Sequence, residues 1–106
     1  MNNWSDVQYL SQNSELIPQA GGVYKVLRND REPGKYNRIY VGKAEDLRRR
    51  FLEHLSVSEP NKILSGNLYN HECYFRFMLL SREEDRTKME QNLLAEFVPE
   101  CNKNTG

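Results

Sequence analysis

Between Glu72 and Leu80 the chain reads Glu-Cys-Tyr-Phe-Arg-Phe-Met-Leu-Leu. Cys73, Phe75 and Phe77 recur every second residue, and an extended strand is the conformation that brings them to one face. A strand with two phenylalanines and a thiol on one side needs partner strands and a covering layer to bury that side. The segment commits the chain to a sheet.

Two shorter runs supply partners. Gly21-Gly22 opens Val23-Tyr24-Lys25-Val26-Leu27, and Arg38-Ile39-Tyr40-Val41-Gly42 forms a second apolar run. Asn29-Asp30 and Pro33-Gly34 between them are turn chemistry, so residues 22–42 read as a hairpin with an enlarged loop. Residues 45–56 read as a helix with Glu45 and Asp46 in its first turn and Leu47, Phe51 and Leu55 as an i, i+4, i+8 stripe. Residues 57–70 are turn-rich, with one helical turn expected around Lys62-Ile63-Leu64. A capping box, Ser81-Arg82-Glu83-Glu84, starts a last helix that runs to about Val98 and stops at Pro99. Residues 1–20 are a lead-in, a short helix or loop in which Trp4, Val7, Leu10, Leu16 and Ile17 are available to pack. The order β-β-α-β-α predicts an α+β domain whose small, mainly antiparallel three-stranded sheet is flanked by helices.

The chain's 106 residues fit one domain. No apolar run reaches the roughly 18 residues of a membrane span, and the amino terminus lacks a basic start and an apolar signal core. The reading is a cytoplasmic protein without a membrane. Two cysteines, Cys73 and Cys101, do not suggest a disulfide framework, and their spacing from His54 and His71 matches no usual zinc pattern. Net charge is zero, which argues against a strong sequence-blind polyanion binder. The distribution is uneven. Residues 25–50 carry nine basic side chains (Lys25, Arg28, Arg31, Lys35, Arg38, Lys43, Arg48, Arg49, Arg50) against four acids, whereas residues 83–100 carry six acids against Arg86 and Lys88.

The last helix contains an anomaly. At about 100° per residue, Met89, Leu93, Phe97, Leu94 and Val98 define an apolar arc with Glu90 near its middle. An ionised carboxylate there needs a partner. Three readings compete: an ion pair with Arg50 or Arg86, a metal-ligand carboxylate, or a general acid of raised pKa. On the first helix Arg50 and His54 share a face at i, i+4, although Asp46 and Arg50 have the spacing of a simple ion pair. Lys43 follows a glycine that lets a phosphate approach the backbone. Tyr24 and Tyr40 lie on adjacent strands, where either could be a half-buried sheet aromatic.

Gly22-Val23-Tyr24, Tyr40-Val41-Gly42-Lys43, Leu47-x-x-Arg50, Glu90 and Asn102 together resemble the GIY-YIG nuclease family, above all the amino-terminal incision domain of the bacterial nucleotide-excision-repair nuclease. The resemblance spans about residues 21–102, and the nuclease domain is expected over 21–103. It implies hydrolysis of a DNA phosphodiester to 5′-phosphate and 3′-hydroxyl ends, with a divalent metal, magnesium or in its place manganese, held by Glu90 and mostly hydrated. Arg50 would clamp the scissile phosphate. Tyr24 and Tyr40 would flank the attacking water, Tyr24 as the candidate general base or water-positioner, with Lys43 or the metal lowering its pKa. His54 would assist proton transfer or phosphate contact. Gly42, Arg48, Arg49 and Asn102 complete the substrate-facing set, with Asn102 also holding the end of the last helix. The loop between the tripeptides is longer than in the repair nuclease, and no separate DNA-targeting domain is expected at either end. A non-cleaving DNA-binding protein on the same fold, and a nuclease dependent on a partner protein or a second copy of itself, therefore stand as alternatives.

Overall fold

In the computed structural model, which describes residues 3–30 and 34–103, the alternating run becomes β4 (Cys73–Leu79), with Cys73, Phe75 and Phe77 buried. It lies inside the sheet, between β1 (Ser5–Gln8) and β2 (Gly22–Asn29), and β3 (Tyr36–Ala44) completes the order β1-β4-β2-β3. Every neighbouring pair is antiparallel. The α+β class and the antiparallel hairpin are as expected, but the sheet has four strands where three were expected. The difference comes from the lead-in: Ser5–Gln8 pairs with the open edge of β4, and a 3₁₀ turn (Ser11–Leu16) follows. Four residues are too few to establish an alternation, so β1 left no usable sequence signal.

The hairpin pairs Tyr24 with Gly42 and Val26 with Tyr40, and then shifts register so that Leu27 faces Arg38. Ile39 is the extra residue of this bulge and is fully buried. Arg31, Glu32 and Pro33, read above as part of the enlarged loop, lie outside the described residues.

Helix α1 is Leu47–Leu55, a residue or two shorter at each end than expected. Asp46 is its N-cap, not a first-turn residue, and its carboxylate accepts from the Arg49 backbone N–H at 3.1 Å. That engagement replaces the Asp46–Arg50 ion pair. Leu47 and Phe51 are buried and Leu55 packs at the margin of the core. The turn-rich segment holds a full helix, α2 (Lys62–Asn70), capped by the Asn61 side chain on the Leu64 N–H. Both helices pack on the face of the sheet that carries Tyr24, Val26, Phe75 and Phe77. Phe75 is the centre of this core, stacked on Tyr24 at 4.9 Å and edge-on to Phe51 and Tyr9 at 5.1 and 5.4 Å.

The last helix, α3 (Glu83–Glu96), covers β2 and β3 from the other side. The capping box does not form: Arg82 is the N-cap and makes no side-chain cap bond. The helix ends two residues before Val98, and Phe97 and Val98 are half-exposed. Its buried residues are Arg86 and Leu93. Glu90 lies within about 60° of both on the helical wheel, so it does face the sheet, although the apolar arc inferred from Met89 to Val98 is not the buried one. Among the described residues no helix is long and apolar enough to cross a membrane.

Truncating Phe75 to alanine removes the ring against which Tyr9, Tyr24, Phe51 and Phe77 pack. A loss of about 3–5 kcal/mol in unfolding free energy is expected, measurable by urea denaturation. A loss under about 1 kcal/mol would mean that the core does not depend on this strand.

Candidate active site

The two tripeptides meet through Gly42. A Cβ on Gly42 would lie 2.5 Å from the Tyr24 hydroxyl oxygen and 2.6 Å from the ring carbon that bears it. The Tyr24 ring passes directly under the β3 backbone, and only glycine leaves room for it. The close approach that Gly42 permits in this structure is to a tyrosine on the neighbouring strand. Tyr24 is 0% exposed, whereas Tyr40, two residues before Gly42 on the edge strand, is partly open.

Beneath β3 the Tyr24 hydroxyl lies 2.7 Å from His54 Nε2. His54 Nδ1 in turn lies 3.1 Å from a Glu59 carboxylate oxygen, with both residues buried. The other Glu59 oxygen accepts from the Asn61 backbone N–H at 3.2 Å. Burial raises the Tyr24 pKa well above its ordinary value near 10, with the Tyr40 charge adding to this and Arg50 opposing it. Burial likewise raises Tyr40, with Arg50 opposing and Glu59 and Glu90 reinforcing. His54 is pushed below its ordinary 6.5 by burial and then by the Arg50 charge, against the pull of Glu59. At neutral pH all three hydrogen-bonding rings are therefore uncharged.

Arg50, half-exposed, is bonded to Glu53 Oε1 at 2.9 Å. Exposed pairs of this kind contribute about 0–1 kcal/mol, so an incoming phosphate can displace Glu53 at little cost. On the α3 side, Lys43 Nζ donates to Thr87 Oγ1 at 2.6 Å. Glu90 follows Thr87 by three residues, with no hydrogen bond or ion pair among the described residues. Burial raises its pKa, and Lys43 is the charge that opposes this. Arg86 donates to the Leu80 and Ser81 carbonyls and Arg50 to Glu53, so neither pairs with Glu90.

A divalent metal was expected at Glu90. No group of three or more His, Cys, Asp or Glu side chains that could hold a metal occurs among the described residues. A cage built from protein ligands is thus absent there, whereas an unpartnered, half-buried carboxylate suits a hard cation that keeps most of its water. The donor set fits such an ion. Cys73 and Cys101 are free and buried, and burial pushes both thiols up to about 11.

Three residues of the expected substrate-facing set have other engagements or none with the ring cluster. Arg48 donates to the Ile17 carbonyl at 2.8 Å and so anchors the segment after the 3₁₀ turn. Asn102 accepts from the Val41 N–H and donates to the Val41 carbonyl, each at 2.9 Å, which makes it a one-residue partner for the edge of β3. Arg49 is exposed, with Glu53 3.7 Å away. Sequence reasoning missed Glu59, Asn61 and Thr87. Asn61 preceding a helical turn was a legible N-cap signal; a glutamate before a proline in a loop offers none.

A family model of the UvrC-like GIY-YIG domain matches residues 20–103. The chain is 34% identical over 86 residues to the UvrABC system protein C of Solibacter usitatus, a match covering 81% of this chain and 13% of that protein. It is 31% identical over 96 residues to the protein of that name from Bacteroides thetaiotaomicron, covering 90% and 15%. It thus spans a small fraction of the length of these relatives. Among solved structures, the magnesium-bound N-terminal GIY-YIG endonuclease domain of Thermotoga maritima UvrC superposes with a TM-score of 0.62 at 22% identity, over 86% of this chain and 92% of that one. That likeness is one of fold.

Two outcomes follow from this packing. Gly42→Ala forces a shift in a fully buried ring and is expected to destabilise by about 1–3 kcal/mol, read by urea denaturation. His54 is neutral when folded, and an unfolded histidine takes up a proton near pH 6.5. Its contribution is therefore complete above about pH 6.5 and declines as pH falls from there towards the lower folded pKa. The Tm difference between wild type and His54→Asn should be smaller at pH 5.5 than at pH 7.5; an unchanged or larger difference at pH 5.5 contradicts the assignment.

Proposed function

The chain belongs to the UvrC-like GIY-YIG domain family, and on that premise we propose that it is a divalent-metal-dependent endonuclease that hydrolyses DNA phosphodiesters. The observation that supports this most is Tyr40. It is the partly open ring of the cluster, and its ionisation responds to Arg50 and to the unpartnered Glu90. A cation to bind phosphate and a free carboxylate to bind a hydrated metal thus both act electrostatically on one hydroxyl, as in-line attack by water would need.

Residue roles follow from burial and bonding. Glu90 would hold the metal, which when bound supplies Lewis-acid stabilisation of the phosphate and its leaving oxygen. Arg50 exchanges Glu53 for the scissile phosphate, because a charge-assisted bidentate contact outweighs an exposed pair. Tyr40 positions the attacking water and receives its proton. This revises the expectation from resemblance that Tyr24 is the direct base, since a hydroxyl with no exposure does not reach a water in the cleft. Tyr24 and His54 stand behind Tyr40 as the onward proton path. Lys43, fixed by Thr87, adds positive charge beside Glu90. Gly42 and Asn102 set the shape of the edge strand, Arg48 is structural, and Arg49 remains available to a DNA backbone. The expected ends are 5′-phosphate and 3′-hydroxyl.

A second reading, in which cleavage needs a partner protein or a second copy to deliver the target, is favoured by two observations. Net charge is zero, and phosphate contacts supply most unaided DNA affinity. The curated relatives are also several times longer.

Supercoiled plasmid incubated with the protein and magnesium or manganese should be nicked, and a chelator should stop the reaction. Glu90→Ala and Arg50→Ala should each slow it by at least about 100-fold. Failure to cleave duplex, branched and single-stranded DNA alike would sink the stand-alone enzyme; cleavage that survives Glu90→Ala would remove the metal role given to that residue.

A further inference from the structure

The proposed mechanism leaves a buried carboxylate without a role. Glu59 is 5% exposed and sits in the loop between α1 and α2, five residues beyond His54. A carboxylate there needs a reason, because burying one costs several kcal/mol unless it is well bonded. Both its oxygens are engaged, one by the Asn61 N–H and the other by His54 Nδ1. Asn61, itself buried, caps α2 through its side-chain oxygen and donates to the Cys101 carbonyl at 2.8 Å. Glu59 is thus fixed through one oxygen by a residue bonded in three directions, and its other oxygen points at an imidazole.

We propose that Glu59 is a positioning residue for hydrolysis: it holds the proton of His54 on Nδ1, so that Nε2 is the acceptor for the proton leaving Tyr24. The proposal rests on the nuclease reading above. A carboxylate only accepts, so an imidazole bonded to it through Nδ1 carries its hydrogen there and presents a lone pair at Nε2. That lone pair faces the Tyr24 hydroxyl at 2.7 Å. In the step, the water's oxygen bonds to phosphorus as its O–H bond breaks, and the proton passes through the tyrosine pair. The Tyr24 O–H bond breaks as an Nε2–H bond forms, and the imidazolium is stabilised by Glu59. The leaving 3′ oxygen departs with the electron pair of the broken P–O bond and takes a proton from solvent. With the opposite tautomer, Nε2–H would point at Tyr24 and the path would be closed.

The groups facing His54 are Tyr24 from β2, Tyr40 from β3, Arg50 and Glu53 from its own helix, and Glu59 from the loop. Burial and Arg50 oppose a charge on the ring, and Glu59 is the strongest influence that favours one. Removing its charge should lower the His54 pKa further and weaken His54 as a proton acceptor.

The chain has two histidines, His54 and His71, so long-range ¹⁵N–¹H correlation spectra of labelled protein, with His71→Gln for assignment, read the His54 tautomer directly. Wild type should show Nδ1–H, and Glu59→Gln should lose that uniform tautomer. Plasmid nicking by Glu59→Gln should fall by at least about tenfold, with the acid limb of its pH–rate profile displaced to lower pH. A purely structural role would lower stability without moving that limb. Finding Nε2–H in wild type overturns the proposal whether or not the variant folds. An active wild type together with a Glu59→Gln variant of equal rate and pH profile overturns it alone and leaves the nuclease reading standing. A wild type that nicks no DNA overturns the nuclease reading, and the hydrolytic role of Glu59 falls with it, whatever the tautomer.

Discussion

The crossing of Tyr24 beneath Gly42 is the constraint from which the rest of the site takes its geometry. These residues face each other in the hairpin register, and the missing side chain at Gly42 lets the phenol lie flat under the strand. Any other residue would push the ring off Phe75, with which it stacks, and away from His54. Core packing and the hydrogen bond to His54 therefore share one ring. The face that holds the sheet to α1 also aligns Tyr24, His54 and Glu59, so rigidity comes from the interior and not from loops.

The edge of the sheet is managed by a second device. β3 ends the sheet, and an unpaired edge next to Tyr40 would be free to shift. The bulge at Ile39 turns its carbonyl to the Cys101 N–H, and Asn102 bonds both backbone groups of Val41. The same carboxy-terminal turn receives Asn61, which steadies Glu59. Each bond contributes only about 0.5–1.5 kcal/mol, but together they tie the loop behind His54 to the strand that carries Tyr40. A mutual strengthening of this kind is expected where buried polar groups are fully satisfied.

Most of the elements were legible in the sequence because they follow local repeats. The alternation of Cys73, Phe75 and Phe77, the Leu47–Phe51–Leu55 stripe and the breaks at Pro99 and Asn29-Asp30 each placed an element. The errors arose where local preference was overridden or too short to register. β1 is formed by pairing, not by its own pattern; the capping box yielded to an Arg82 N-cap; and α3 presents Arg86, Thr87, Glu90 and Leu93 to the sheet, a face too polar for periodicity to find. Glu90 was singled out by the wrong stripe, yet its placement towards the sheet holds because Arg86, Glu90 and Leu93 share a face.

The sequence by itself determined the inventory: a small α+β fold, a tyrosine on each of two paired strands, an arginine and a histidine one turn apart, and a carboxylate, Glu90, midway along the last helix. These follow from residue type and spacing within single elements, which local physics fixes. Only the tertiary structure decided which tyrosine is sealed and which is open, that Glu59 stands behind His54, and that Arg48 and Asn102 hold backbone. Those outcomes depend on contacts such as Tyr24 with Gly42, Tyr24 with His54 and Asn61 with Cys101, which join separate elements. Burial and partner choice are properties of that assembled packing, and no spacing along the chain encodes them.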